Sequence, residues 1–160
     1  MKKALWSALA LSIAALAPAA CSEQTPEAPA APDAPEGLTV ANARLILPAV
    51  KGNPGAVYFE ISNGAKKDWV IRAASVQGSD TAMIHQMGTW NRQVNMDELA
   101  QVAVKAGETA KFEPGAIHVM TGKLADTVVA GGKTEVTLTF VGGDKMSFPA
   151  EVRAAGDERE

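Results

Sequence analysis

Residues 56–63, AVYFEISN, carry the pattern that decides the fold. Apolar residues fall at alternate positions, which is the two-residue period of a strand with one buried face. One face carries Val57, Phe59 and Ile61, and the opposite face carries the tyrosine, the glutamate and the serine between them. This segment therefore predicts a half-buried β-strand rather than a helix.

The same period recurs through the rest of the chain. It is clearest in TEVTLTFVGG and KMSFPAEVR, and shorter candidates are DWVIRAASV, AMIHQM, RQVNM, AQVAVKAG, TAKFEPG and AIHVM. Turn-forming segments separate them, namely KGNPG, SNGAKKD, KAGE, EPG and VGGDK. Many short strands without a sustained helical period predict a single all-β domain, built as an antiparallel sandwich or a small barrel.

The first 20 residues have the order of a secretory signal peptide. Lys2 and Lys3 precede an apolar run over residues 4–17, and small residues follow as far as Cys21. The apolar run is too short to span a bilayer comfortably. We therefore predict a signal peptide at residues 1–20 and an exported protein.

Cys21 is the only cysteine of the chain, so no disulfide can form within it and a Cys-ligated metal site in the domain is excluded. Its place after PAA resembles a bacterial lipoprotein acylation site. The alternative is cleavage near Ala19, which would leave Cys21 as a free thiol. Residues 21–36 are rich in proline, alanine and acids, which predicts a disordered, extended linker of about 3 Å per residue. Such a linker suits a tether between a membrane anchor and a folded domain.

The remaining sequence predicts one folded domain at residues 37–154 and a short tail at 155–160. Without Lys2 and Lys3 the chain has 13 basic and 18 acidic residues, a net charge of −5. It shows no basic stripe, which argues against nucleic acid as a partner.

Both histidines and four of the six methionines lie within one 38-residue stretch. Because residues i and i+2 of a strand share a face, His118 lies beside Met120, and His85 lies beside Met87. The segment GTWNR predicts a hairpin turn that brings Met96 back beside the strand of His85. Two imidazoles and up to three thioethers can therefore converge at one end of the β-domain.

This donor set matches the chemistry of Cu(I). Thioether sulfur is a soft, neutral ligand and imidazole binds copper in either oxidation state, whereas zinc sites use His, Cys and carboxylates. A blue-copper site would need a thiolate within the domain. Because neutral ligands leave the ion with its +1 charge, we expect the site near the surface. A methionine can also be core filler, and a histidine can simply be hydrogen bonded.

The spacing His85-x10-Met96-x21-His118-x-Met120 resembles the H-x10-M-x21-H-x-M motif of the periplasmic PCu(A)C (PCuAC) copper chaperones. The segments NPGAVYFEISN and VAVKAGETAKFEPGAIHVMTGKL are also similar to that family, and the resemblance covers about residues 40–153.

The resemblance implies a cupredoxin-like, Greek-key β-sandwich that binds one Cu(I) through His85, Met96, His118 and Met120, with Met87 as an auxiliary ligand. It further implies a periplasmic carrier, not an enzyme, that passes copper by ligand exchange to a cytochrome c oxidase subunit or to another assembly chaperone. The C-terminal RAAGDERE has neither His nor Met for a second copper site.

Two other functions remain open from the sequence. A periplasmic copper-resistance or copper-storage protein would use the same ligands without an oxidase partner. A metal-free interaction domain on a membrane anchor at Cys21 would use none of them.

Overall fold

The computed structural model describes residues 35–157. The predicted signal peptide, Cys21, most of the linker and the last three residues lie outside the described residues. The described part contains ten strands and no α-helix, and it therefore contains no helix long and apolar enough to cross a membrane.

The strands, in chain order, are β1 (Leu38–Ile46), β2 (Ala56–Asn63), β3 (Trp69–Val76), β4 (Ala82–Trp90), β5 (Gln93–Glu98), β6 (Val102–Val104), β7 (Thr109–Phe112), β8 (Ile117–Thr121), β9 (Lys133–Phe140) and β10 (Lys145–Arg153).

The strands form one hydrogen-bonded sheet in the order β5-β4-β8-β7-β2-β1-β10-β9-β3-β6, and β8 also pairs with β2. The sheet folds over a single core, so that β3 contacts β4, and β6 contacts β2 and β7. The predicted all-β class is confirmed. The pairs are antiparallel except for β1 with β10 and β7 with β8.

Each parallel pair has a structural reason. Parallel neighbours need a long connection, and between β1 and β10 that connection is nearly the whole domain. Strands β7 and β8 run parallel for a different reason: both pair with β2, and the turn at residues 113–116 moves the chain along that strand. As a result β7 pairs with the second half of β2, and β8 pairs with the first residues of β2.

Strand β2 organises the core as its alternation predicts. Val57, Phe59 and Ile61 have no exposed surface. The ring of Phe59 stacks on Phe112 at a centroid distance of 4.2 Å, and Phe148 lies 5.1 Å away at a tilt. Three aromatic rings from three strands therefore pack together in the middle of the core, and this packing fixes the position of β2.

Strand β1 is the element that the sequence pattern did not predict. Its register against β2 shifts between Ala41 and Arg44, and Asn42 has a positive φ of 56°. This bulge inserts one extra residue that breaks the two-residue period, so LTVANARLI lacks the alternation of a regular strand. Asparagine tolerates the left-handed conformation better than most residues, which explains its place in the bulge.

Candidate metal centre

The hairpin of β4 and β5 positions the first part of the site. The two strands are joined by Asn91 and Arg92, both with positive φ (51° and 63°), as in the tight turns typical of two-residue hairpin loops. The predicted turn is confirmed. In the resulting register Met87 lies directly opposite Met96. The hairpin thus brings two thioether side chains onto the same face of adjacent strands.

The pairing of β4 with β8 brings the two histidines together. His85 lies directly opposite His118, and their ring centroids are 6.1 Å apart. On the other face of the same strands, Ile84 lies opposite Val119, and both are buried in the core. Because side chains alternate across a strand, burial of these two residues fixes both imidazoles on the opposite face of the sheet.

His118 is held in a defined orientation. It is 4% exposed, and its Nδ1 lies 3.1 Å from the backbone carbonyl of Ala116. In a neutral imidazole that bond requires the proton on Nδ1, which leaves the lone pair of Nε2 free for a ligand. The ring of Tyr58 packs at 6.2 Å from that of His118. A metal-binding histidine is commonly oriented through its second nitrogen in this way.

His85 is the most informative residue of the face. It is half-buried, yet both ring nitrogens are shielded from solvent and have no hydrogen-bond partner within residues 35–157. A buried polar atom without a partner costs about 1–3 kcal/mol. A metal ion bound to one nitrogen would supply the missing interaction, so this imidazole fits the role of a ligand.

The predicted methionines surround this histidine pair at different depths. Met120 and Met87 are half-buried, whereas Met96 is 42% exposed on β5, which forms one edge of the sheet. The face therefore extends from a buried imidazole at His118 to an exposed thioether at Met96. We expected a site near the surface; of the candidate ligands, Met96 is exposed and His118 is buried.

Tyr58 departs from its predicted place on an exposed face. It is 8% exposed, because the guanidinium of Arg44 lies 5.5 Å above its ring and the imidazole of His118 packs on it. The packing of His118 therefore extends through β2 to β1.

One further methionine was not recognised from the sequence. Met83 lies directly opposite Met120 and is 40% exposed. The rule that places Met87 on the face of His85 also places Met83 there, two residues before His85. Applying this rule in both directions along AMIHQM would have identified it.

The described residues contain no group of three or more His, Cys, Asp or Glu side chains that could hold a metal ion. A metal site on this face would therefore combine the two imidazoles with the thioether sulfurs that lie on the same face. This donor chemistry differs from that of the usual zinc sites.

Comparisons with known proteins agree with this architecture. A model of the LpqE-like family matches residues 38–152. No curated protein matches the chain at a significant level. Among solved structures, the copper-bound PCuAC domain from PmoF2 superposes with a TM-score of 0.61 at 15% identity, covering 74% of this chain and 93% of that domain.

Two further structures show the same fold. The apo PCuAC domain from PmoF1 has a TM-score of 0.62 at 22% identity, covering 74% of this chain and 94% of that domain. The Cu(I) form of DR1885 from Deinococcus radiodurans has a TM-score of 0.51 at 21% identity, covering 82% and 84% of the two chains. The resemblance to PCuAC proteins is thus confirmed for the fold, and the match over residues 38–152 shows that the chain belongs to the LpqE-like family.

Proposed function

We propose that this protein is a periplasmic copper carrier that binds one Cu(I) through His85, Met96, His118 and Met120, with Met87 as an auxiliary ligand. The observation that carries the proposal is the histidine pair across β4 and β8. The nitrogens of its outer imidazole, His85, are shielded and have no hydrogen-bond partner among the described residues, and methionines lie on the same face.

The choice of Cu(I) follows from the donor types. Two imidazoles and several thioethers form a neutral, soft set that favours Cu(I) over zinc and over the hard cations. Two neighbours of the same fold are recorded in copper-bound forms, one of them explicitly with Cu(I). Because their sequence identity to this chain is low, these structures support only the fold. The identity of the ion is inferred from the residues of this chain.

Release of the ion would proceed by ligand exchange. Met96 lies on an exposed edge strand, whereas His118 is buried and fixed by Ala116. An incoming sulfur or imidazole of the acceptor would therefore displace Met96 first, and the buried histidine last. Because the ligands are neutral, the ion keeps its charge throughout and no strongly bound thiolate has to be released.

The wider role rests on the family and on the sequence. The description of the LpqE-like family as lipoproteins supports export. The match begins at residue 38, so the lipid anchor that we propose at Cys21 rests on the sequence around that residue. We propose a copper centre of cytochrome c oxidase, or an assembly chaperone that serves it, as the acceptor. The proposed role is transport rather than catalysis, with both histidines as copper ligands.

The test is a Cu(I) titration of residues 22–160 under reducing, anaerobic conditions, in competition with a colorimetric Cu(I) chelator. Omitting Cys21 removes a thiol that would itself bind Cu(I). We expect one tight equivalent in the parent protein and a marked loss of affinity in His118→Ala and His85→Ala. Far-UV circular dichroism of each variant checks that the sheet is intact.

The same titration separates the alternatives. A parent protein that cannot compete with the chelator would be a metal-free interaction domain. If binding is confirmed, deletion of the protein in the cell separates delivery from storage or resistance. Loss of oxidase assembly indicates delivery, and loss of copper tolerance with intact oxidase indicates storage or resistance.

A further inference from the structure

Met83 lies on the face of β4 and β8 that carries His85, His118 and Met120, although it is outside the motif. It lies directly opposite Met120, and it precedes His85 by two residues on the same strand face. Direct cross-strand neighbours have Cβ atoms about 4.5–5.5 Å apart, and diagonal neighbours are about 7–8 Å apart. Met83 is therefore a direct neighbour of Met120 and a diagonal neighbour of His118.

Met96 has fewer such neighbours. It lies opposite Met87 and is diagonal to His85, while the whole of β4 separates it from β8. Met96 can reach an ion held between the two histidines only from the outer strand. Met83 approaches the same position from β4 itself, on the side of the histidine pair away from Met87.

The exposure of Met83 also needs explanation. Methionine is among the residues most often buried, yet Met83 is 40% exposed, close to the 42% of Met96. The half-buried partner Met120 lies beside it. The histidine pair is therefore flanked by two methionine pairs, Met87 with Met96 on one side and Met83 with Met120 on the other.

We propose that Met83 is a further Cu(I) ligand that replaces Met96 when Met96 leaves the ion, an inference that rests on the copper-carrier function proposed above. In this exchange one Cu–S bond to Met96 breaks and one Cu–S bond to Met83 forms. The ion remains Cu(I), and no electron or proton moves. His85, His118 and Met120 hold it throughout.

This exchange has a consequence for transfer. Without Met83, departure of Met96 leaves the ion with three motif ligands and with Met87, on the β5 side, as the auxiliary thioether. With Met83, the ion keeps two imidazoles and two thioethers while the β5 side of the site becomes accessible. Met83 would therefore retain copper during the approach of the acceptor.

The test compares Met83→Leu, Met96→Leu and the double variant, all in residues 22–160 to exclude the Cys21 thiol. Leucine conserves the volume of methionine closely but has no sulfur donor. The control is Met146→Leu, since Met146 is half-buried in β10 and packs against the core away from this face. Cu(I) affinity is measured by chelator competition. Methionine methyl signals are followed by NMR with ¹³C-methyl labelling, before and after addition of Cu(I).

If the two thioethers substitute for each other, each single variant loses little affinity. The double variant should lose at least about tenfold more than the product of the single losses, as expected for coupled residues. In Met96→Leu, the Met83 methyl signal should shift on addition of Cu(I), while that of Met146 stays in place.

The proposal is overturned if Met83→Leu has no effect in the Met96→Leu background and the Met83 methyl signal does not move. In that outcome the parent protein still binds Cu(I), so the copper-carrier function stands. Failure of the parent protein to bind Cu(I) would instead overturn both proposals.

Discussion

The hydroxyl group of Thr121 ties the end of β8 to the beginning of β2. Thr121 is 1% exposed, and its Oγ1 accepts a hydrogen bond of 2.9 Å from the backbone N–H of Gly55. The backbone N–H of Thr121 donates in turn to the carbonyl of Gly55 at 2.9 Å. Since Met120 is the preceding residue, this contact helps to fix the position of Met120 on the face that carries His85 and His118.

Replacing Thr121 with valine should destabilise the apo protein by about 1–3 kcal/mol, because the buried N–H of Gly55 loses its side-chain acceptor. Chemical denaturation of the apo form measures the loss. Thr121→Ser is the matched control, since it keeps the hydroxyl and removes the methyl. A loss in Thr121→Ser with none in Thr121→Val would assign the stabilisation to packing of the methyl group instead.

The sequence predicts the face on which a side chain lies wherever the alternation of its own strand determines that face. The convergence of His85 and His118 on one face follows from alternation, but their direct opposition depends on the register of β4 with β8. A shift of one residue in that register would turn one imidazole toward the core. Within residues 35–157 the nitrogens of His85 have no hydrogen-bond partner, whereas His118 is bonded to Ala116. Both features depend on packing, which no local pattern contains.

Among the elements, the β4–β5 hairpin has a turn residue in an energetically unfavourable backbone conformation. Arg92 has a φ of 63°, a conformation that costs a non-glycine residue about 1–2 kcal/mol. Turns of this type favour glycine at the second position, as in Asn-Gly. The chain instead has Asn-Arg, so the strand that carries Met96 is joined by a strained turn.

Arg92→Gly should therefore stabilise the hairpin by about 0.5–1 kcal/mol, after allowing for the greater backbone entropy that glycine loses on folding. Amide hydrogen exchange of β5 measures this effect locally, and slower exchange is expected. Arg92→Ala removes the charge but keeps the Cβ, so it should give no gain. A similar gain in the alanine variant would point to the charge of Arg92 rather than to its backbone conformation.

The elements differ in how well the sequence predicts them. The strands with regular alternation, above all β2, β9 and β10, were predicted close to their observed bounds. The bulge at Asn42 interrupts the alternation of β1, so the sequence pattern did not predict this strand. The parallel pairing of β1 with β10 joins the first strand to the last. Contacts between the ends of a chain leave no local signal, so this pairing could not be predicted from periodicity.

At the scale of the whole molecule, Asn63 links the middle of the sheet to its far edge. It is 1% exposed, and its Nδ2 donates to the carbonyls of Lys67 (2.8 Å) and Val104 (2.9 Å). Its Oδ1 accepts from the backbone N–H of Ala65 at 3.0 Å. A single side chain thus satisfies three backbone groups and joins β2 to β6 across the folded sheet.

Asn63→Leu should destabilise the protein by about 2–3 kcal/mol, because these backbone groups lose their partner. Cu(I) affinity should not change, since β2 carries Asn63 about 23 Å from its other end at Ala56, beside Met120. Denaturation and chelator competition measure the two quantities separately. The control is Ser62→Ala, which removes an exposed hydrogen bond to Thr109 and should cost little. A parallel fall in affinity would show that the site and the far edge are coupled.

The position of β5 at the edge of the sheet also affects how two molecules meet. An edge strand offers unpaired backbone groups to any other strand, and natural proteins protect such edges with charge. Here the edge carries Asp97 and Glu98, both exposed. Two copies that pair through β5 would bring carboxylates against carboxylates, so self-association is opposed. A partner with basic residues meets no such repulsion, and its attraction to this edge should weaken as salt concentration rises.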